Sequence, residues 1–516
     1  METNIIGILV TIVVYLGGMI AIGAVFSGKN KDVSDFYLGG RKLGPLVSAM
    51  SAEASDMSSW LLMGLPGLAY LCGVAEAGWT AIGLAAGTYL NWLFVARRLR
   101  IYSQKTNSIT IPDFFADRYH DHSRILTGVA ALIILIFFVP YTASGFSACG
   151  KLFESLFGWD YHLAMIIAAV IIIAYTSLGG FLAASFTDLI QSIVMTTALV
   201  IVVCFGVSHA GGWDAVANNA KSLSDYLTMT VTRGFNADGS VKQVSFGLIP
   251  IVSTLAWGLG YFGMPHILLR FMAIKDDKKV KLSRRIASIW VVIAMGVAIL
   301  IGIIGNQLSA NSTIEKLATS ADSETVIIKI ATVLSKSSIP AAIVAGLIFA
   351  GILACTMSTA DSQLLAASSS MSENILKGVF GMKLSDKASM IVARAVLLVI
   401  AVAGIILAWN RDSSVFRVVS FAWAGFGATF GPVMLTALFW KRSNKYGAIA
   451  GLIAGGVMIF VWKFAVRPIG GAWDIYELLP AFLCALIAIV VVSLVTKAPE
   501  KEITDEYDAV TAELKG

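Results

Sequence analysis

Residues 45–60 read Pro-Leu-Val-Ser-Ala-Met-Ser-Ala-Glu-Ala-Ser-Asp-Met-Ser-Ser-Trp, which sets Glu53, Asp56 and five serines inside an otherwise apolar run. A carboxylate at the centre of a membrane-spanning helix costs about 2.5–3.5 kcal/mol on insertion scales and persists only beside a partner or a cation. Residues 355–363, Cys-Thr-Met-Ser-Thr-Ala-Asp-Ser-Gln, carry Ser358, Asp361 and Ser362 at i, i+3 and i+4, with Cys355 and Thr359 on or beside the same helix face. Hydroxyls and a carboxylate on one stripe are hard oxygen ligands, suited to Na⁺ and poor for zinc or copper. Hydroxyls alone would serve equally as hydrogen-bond glue between helices; Asp361 argues for more, because glue rarely needs a carboxylate. Asp188, in Phe186-Thr-Asp-Leu, is another buried acid in need of a partner, which the 355–363 stripe could supply. A fourth stretch, Ala256-Trp-Gly-Leu-Gly-Tyr-Phe-Gly-Met-Pro265, packs three glycines and a proline into ten residues and cannot be a regular helix. Beside that break Trp257 and Tyr261 stand at i and i+4, which sets them apart from ordinary membrane-core or interface-belt aromatics.

The elements that must position these groups are membrane helices. The chain has 516 residues, 57% hydrophobic and 14% charged, whereas soluble proteins carry about a quarter charged residues. That composition excludes a soluble enzyme, a secreted disulfide scaffold and a disordered protein, and the apolar runs are continuous rather than alternating, which excludes a β-barrel. An all-α polytopic membrane protein is expected, with thirteen spans at 5–26, 45–71, 75–96, 124–149, 161–178, 181–208, 246–271, 286–306, 341–371, 390–409, 415–440, 446–466 and 476–495. Thirteen spans put the termini on opposite sides, and basic residues mark the cytoplasmic loops. Of the 38 Lys and Arg, 27 fall on the side of the C-terminus, including Lys29 to Lys42 and Arg270 to Arg285, so the N-terminus is expected outside and the tail from Lys497 in the cytoplasm as a solvated end. Met1-Glu2-Thr3 lacks the basic start of a signal peptide, so the first run is read as a true span. The net charge of +6 is therefore topology rather than a nucleic-acid surface. Cys72, Cys149, Cys204, Cys355 and Cys484 are widely spaced in apolar stretches and read as reduced packing residues.

Breakers and charges at mid-depth are tolerated only where a helix lines a cavity. The second and seventh spans both qualify, five spans apart, and such a pair in corresponding places of two inverted halves is the sequence mark of a transporter site. The expected organisation is 1–44, the first span and its loop; 45–208, repeat 1; 209–245, an outer loop; 246–440, repeat 2; 441–496, two further spans; and 497–516, the tail. An ion channel would need a continuous polar ring rather than one aromatic pocket. A membrane enzyme would need a nucleophile, base and orienting group together, and His120, His122, His162, His209 and His266 are scattered. No GxxxxGK[ST] loop suggests ATP as the energy source.

The stretches Ser51-Ala-Glu-Ala-Ser-Asp-Met-Ser-Ser-Trp-Leu-Leu-Met-Gly-Leu-Pro66, Trp257-Gly-Leu-Gly-Tyr-Phe-Gly-Met-Pro-His266, Met357-Ser-Thr359 and Phe421-Ala-Trp-Ala-Gly-Phe-Gly-Ala-Thr-Phe-Gly-Pro432 resemble the sodium/solute symporter family. The resemblance runs from the first span to about Val495. It implies the five-plus-five inverted-repeat fold of the leucine transporter type, with one helix before the repeats and two after, and the import of a small solute, proline, coupled to Na⁺. It further implies a sodium site at Ala54, Met57, Cys355, Ser358 and Thr359, an essential acid at Asp56, and a solute pocket of Trp60, Tyr141, Trp257, Tyr261 and Pro265. Cys355 stands where related chains have alanine, and Ser59 where they have glycine. Some members bind a second cation, at positions that here are Asp188, Ser358, Asp361 and Ser362; Asp361 replaces a hydroxyl. Other amino acids, monocarboxylates or sugar acids, and coupling to protons, remain open within this class. The resemblance also implies a bacterial cell membrane, a monomer working in the lipid bilayer, and no catalysis, cofactor other than the coupling ion, or nucleic-acid partner.

Overall fold

Among the residues described by the computed structural model, 5–27, 33–235 and 241–514, nine helices are long and apolar enough to cross a membrane singly. They are Ile5–Phe26, Ile125–Phe157, Gly179–His209, Asp277–Ala310, Ile339–Val379, Lys387–Leu407, Val415–Phe439, Lys445–Ile469 and Leu478–Val495. A bent pair, Leu248–Gly263 and Pro265–Met272, turned by 47° at its break, makes a tenth. The other three expected spans are helical too, but irregular or short for the reasons their sequences give. The second is Pro45–Ser59, a π-wound turn Trp60–Gly64 and Leu65–Cys72; the acids and serines that lower its hydropathy also interrupt it. The third is Val74–Leu90, continued by the π-wound Asn91–Ala96. The fifth, Tyr161–Ala174, runs on toward the sixth across Gly180, whose φ of 66° and ψ of −173° only glycine adopts readily. Residues 1–4, Lys29, Lys31 and Lys515, which entered the sequence reading, lie outside the described residues.

Burial separates core from rim. The ninth and eleventh helices have 67% and 78% of their most apolar windows buried inside the protein, whereas the first, tenth and twelfth have 28%, 25% and 22%. The first helix accordingly turns Ile6, Val10, Val13 and Val14 outward, as a lipid-facing helix must. The ninth helix packs against the sixth, the first and the first half of the second, so its polar stripe is enclosed by the broken helix.

The spans are helical, as the sequence reading expects; one feature adds to that reading and one departs from it. The 209–245 loop adds a small antiparallel hairpin, Val231–Phe235 paired with Val241–Ser245. The tail is not a solvated end: Lys501–Glu513 is a helix docked on the protein. Ile503, Tyr507 and Val510, at i, i+4 and i+7, are buried, and the guanidinium groups of Arg98 and Arg118 lie 5.0 and 5.3 Å from the Tyr507 ring. Arg98 donates to Thr511 at 2.7 Å and Lys441 pairs with Asp508. The apolar stripe at helical spacing decides the outcome, since exposed ion pairs alone stabilise little. Tyr507→Ala is expected to weaken docking by about 3 kcal/mol, and tryptic cleavage at Lys501 in detergent should accelerate many-fold; an unchanged cleavage rate would show the helix is held by something else.

Candidate transport site

The break in the second span centres on Ser58, which is held at φ 44° and ψ −174°. A non-glycine residue there is strained by about 1–3 kcal/mol and must be held by its surroundings. The Ser58 hydroxyl accepts the Trp60 N–H at 3.2 Å, and the Ser58 carbonyl accepts the Cys355 thiol of the ninth helix. One turn earlier, the Ser358 hydroxyl donates to the Ala54 carbonyl at 2.8 Å. Ser358 and Thr359 each also donate to the Cys355 carbonyl at 3.2 Å. Ser358 thus joins the ninth helix to the Ala54 carbonyl at the first break, and Thr359 lies beside it, bonded to the same Cys355 carbonyl. Met57 is buried on the same turn, its carbonyl accepting the Trp60 N–H.

The second break, Ala256–Gly263, is wound as a 3₁₀ helix and ends at Met264, with Pro265 opening the next half-helix. Pro265 fixes φ and removes an N–H that would have no acceptor there, so it shapes the backbone. The Tyr261 hydroxyl donates to Asp56 Oδ2 at 2.5 Å, and the Tyr141 hydroxyl donates to the Asp56 carbonyl at 3.2 Å. One acid therefore ties the two breaks together. Trp60 and Trp257 lie 5.9 Å apart between ring centroids. Phe416 stacks on Trp60 at 6.3 Å and lies 5.4 Å from Trp257, which in turn stacks on Tyr476 at 5.2 Å. A cavity of about 1380 Å³ runs down to Trp257, Phe416 and Tyr476 from the loops opposite the tail. Of the expected pocket residues, Trp60 and Trp257 are ring neighbours, Tyr141 and Tyr261 meet at Asp56, and Trp257 lines the cavity. Phe416 and Tyr476 were not legible, because an aromatic at the end of a span is ordinarily a membrane-interface residue.

The acid of the sixth span has a different partner from the one expected. Asp188 is paired with Arg270 of the seventh span at 3.1 Å, and both side chains are essentially inaccessible, at 0% and 1% exposure. The loop-charge reading of Arg270 is therefore corrected: it lies among apolar neighbours in Leu268-Leu-Arg-Phe-Met272, and that context was the available signal. Its guanidinium also donates to Ser51 Oγ at 3.0 Å, the His266 carbonyl at 2.9 Å and Ser362 Oγ at 2.5 Å, and lies 5.0 Å from the Phe181 ring. Ser51 donates to Asp188 at 2.7 Å and Ser362 to Asp361 at 3.0 Å. Ser362 of the ninth span is joined to Asp188 through the arginine. Asp188 Oδ1 and Asp361 Oδ2 are buried without a hydrogen-bond partner; Asp188 pairs with the guanidinium directly, and Asp361 is linked to it through Ser362.

Removing one member of a buried pair strands the other charge, at about 3–5 kcal/mol, while replacing both is far milder. Arg270→Met is accordingly expected to depress the thermal unfolding temperature in detergent strongly, and Asp188→Asn/Arg270→Met to recover much of the loss. Additive losses in the double variant would contradict a direct pair.

Two broken helices joined at Asp56, with carbonyl and hydroxyl oxygens at one break and aromatic rings at the other, have the form of a secondary transporter site. The model of the Sodium:solute symporter family matches residues 36–455. The chain is 40% identical over 491 residues to the high-affinity proline transporter of Bacillus subtilis, covering 95% of this chain and 98% of that protein. It is 41% identical over 492 residues to the sodium/proline symporter of Escherichia coli, covering 95% and 93%. Among solved structures it is similar to a Na⁺-coupled sialic acid symporter in a substrate-bound outward-open state, with TM-score 0.79 at 18% identity over 96% of this chain and 99% of that one. A second is the transporter MhsT in complex with L-phenylalanine, with TM-score 0.54 at 13% identity over 88% and 98%. The chain belongs to the sodium:solute symporter family and has the five-plus-five inverted-repeat fold of the leucine transporter type.

Proposed function

We propose that the protein imports L-proline together with Na⁺ by alternating access, as a monomer in a bacterial cell membrane with its N-terminus outside and its tail in the cytoplasm. The observation that carries this reading is the hydrogen bond from Tyr261 to Asp56, which joins an oxygen-lined break to an aromatic-lined one. The identity to proline transporters supports proline as the solute, and so does its chemistry: an apolar ring to pack on Trp60, Trp257 and Tyr261, an ammonium for their π-faces, and a carboxylate for freed backbone N–H groups.

In this reading Na⁺ is carried by Ala54, Met57, Cys355, Ser358 and Thr359. The Ser358 and Thr359 hydroxyls turn their lone pairs to the ion and release the carbonyls they now bond, which become ligands as well. The ion stabilises the strained turn at Ser58. Asp56 acts through Tyr261 and its own backbone rather than as a ligand, so sodium at the first break orders the pocket at the second. Coupling of this kind is reciprocal: proline raises sodium affinity by the factor by which sodium raises proline affinity. Each charge crossing 100 mV contributes about 2.3 kcal/mol to the uphill movement of solute. Thirteen crossings, with repeats at 45–208 and 246–440, complete the proposed topology.

A second cation at Asp188, Ser358, Asp361 and Ser362 is favoured by the unpartnered oxygens Asp188 Oδ1 and Asp361 Oδ2, which leave two buried carboxyl groups with one ion-paired cation between them. Asp361→Asn should then lower the charge moved per proline and the sodium Hill coefficient, and identical values in the variant would rule the second cation out.

Uptake of radiolabelled proline into proteoliposomes tests the main reading, with an inward Na⁺ gradient, a matched K⁺ gradient and a pH gradient as arms. Sodium-driven uptake is expected, with Ser358→Ala/Thr359→Ala raising half-saturating Na⁺ at least about tenfold, the equivalent of 1.4 kcal/mol of lost ligand energy. Uptake driven only by the pH gradient would overturn the sodium assignment, and no proline uptake by folded protein would overturn the solute.

A further inference from the structure

The unwound stretch Ala256–Gly263 exposes carbonyl groups at membrane depth, and each needs a partner. Two of them are met by buried side chains from opposite directions. Trp423 Nε1, from the eleventh span, donates to the Trp257 carbonyl at 2.8 Å. Asn91 Nδ2, from the third span, donates to the Tyr261 carbonyl at 2.9 Å. Trp423 is 2% exposed and Asn91 0%, so neither bond competes with water.

Each donor ends or begins a ladder on one helix face: Gly83, Gly87 and Asn91 on the third span, and Trp423, Gly427 and Gly431 on the eleventh, all at intervals of four. The glycines bring the two helices into backbone contact with the break. A Cβ on Gly258 would lie 2.2 Å from the Gly83 carbonyl, and one on Gly87 would lie 2.3 Å from the Gly258 carbonyl. On the other side, a Cβ on Gly427 would lie 2.7 Å from Gly260 Cα, and one on Gly260 would lie 2.0 Å from Trp423 Nε1. The Trp423 ring meets Tyr261 edge to face, at 5.1 Å and 84°. The break is thus gripped between two flat helix faces, with one polar donor on each.

We propose that Trp423 and Asn91 are positioning residues for solute recognition: they pin the Trp257 and Tyr261 carbonyls, so that the Trp257 ring faces the aromatic pocket and the Tyr261 hydroxyl reaches Asp56. Neither side chain touches the solute in this proposal, which rests on the pocket reading given above. Without the Trp423 donor the Trp257 carbonyl becomes a buried acceptor lacking a partner, and the stretch must turn to find another.

Two measurements test it. In proteoliposomes, Trp423→Phe keeps an aromatic ring beside Tyr261 but loses the N–H, and Asn91→Leu keeps the size but loses the donor. Each is expected to raise KM for proline about tenfold, the loss of one net hydrogen bond, with kcat within about twofold of wild type. Equal loss of kcat with unchanged KM would mark a merely structural role and overturn the proposal. The second measurement is hydrogen–deuterium exchange of peptides spanning 256–263 in purified protein, where Trp423→Phe should speed exchange at least about tenfold relative to peptides of the ninth span. Unchanged exchange overturns the proposal whatever the solute. If wild-type protein takes up no proline, the solute assignment falls, and the exchange result alone decides the role of Trp423.

Discussion

Hydrocarbon offers no water to an unpaired backbone group, and this chain interrupts two helices in the middle of the membrane. Much of the interior answers that constraint. At the first break the Ala54, Asp56 and Ser58 carbonyls are met by Ser358, Tyr141 and Cys355. At the second, the Trp257 and Tyr261 carbonyls are met by Trp423 and Asn91. The donors differ in kind. A hydroxyl that donates to a carbonyl can rotate and offer a lone pair to a cation, whereas an indole or amide N–H can only donate. The first break is therefore met by hydroxyls and a thiol that can change role, and the second by N–H groups that only donate as they stand. That asymmetry suits a mobile ion at one break and a fixed pocket at the other.

The buried charges follow the same economy of partners. Arg270 makes an ion pair and three further hydrogen bonds inside the protein, which is what makes a guanidinium tolerable where desolvation is severe. Its fork joins the sixth, second and ninth spans to the half-helix that follows the second break, so movement of that half-helix has to carry or release the cluster. Beside the large cavity, Lys151 pairs with Glu324 at 2.9 Å, and Glu324 also accepts the Ser414 hydroxyl at 2.7 Å and the Phe416 N–H at 3.1 Å. The start of the eleventh span, and with it the Phe416 ring over Trp60 and Trp257, is held by a carboxylate from a loop distant in sequence.

Glu53, Asp56, Asp188 and Asp361 in apolar runs, the Gly-Gly-Gly-Pro stretch at 258–265 and the hydroxyl stripe at 358–362 made the polar centre visible without a fold, because burying such groups is costly enough that they mark a site wherever they occur. Helical period then said which of them share a face. Composition fixed the membrane class, and the motifs carried the family. Other features were hidden because their meaning depends on what lies across from them. Arg270 read as one of a run of loop charges and the tail as solvated, and Phe416 and Tyr476 drew no notice, since each has an unremarkable local sequence.

What the sequence by itself determined is the set of local conflicts: carboxylates, hydroxyls and helix breakers inside helices that hydrocarbon requires to be regular. Only the tertiary structure decided how each conflict is resolved. It gave Asp188 to Arg270 rather than to the ninth span alone, and Tyr261 to Asp56. It set Trp423 and Asn91 on the second break. The physical reason is that a buried polar group specifies its need for a partner through its own chemistry, whereas the partner's identity depends on which helix faces the packing brings within hydrogen-bond reach.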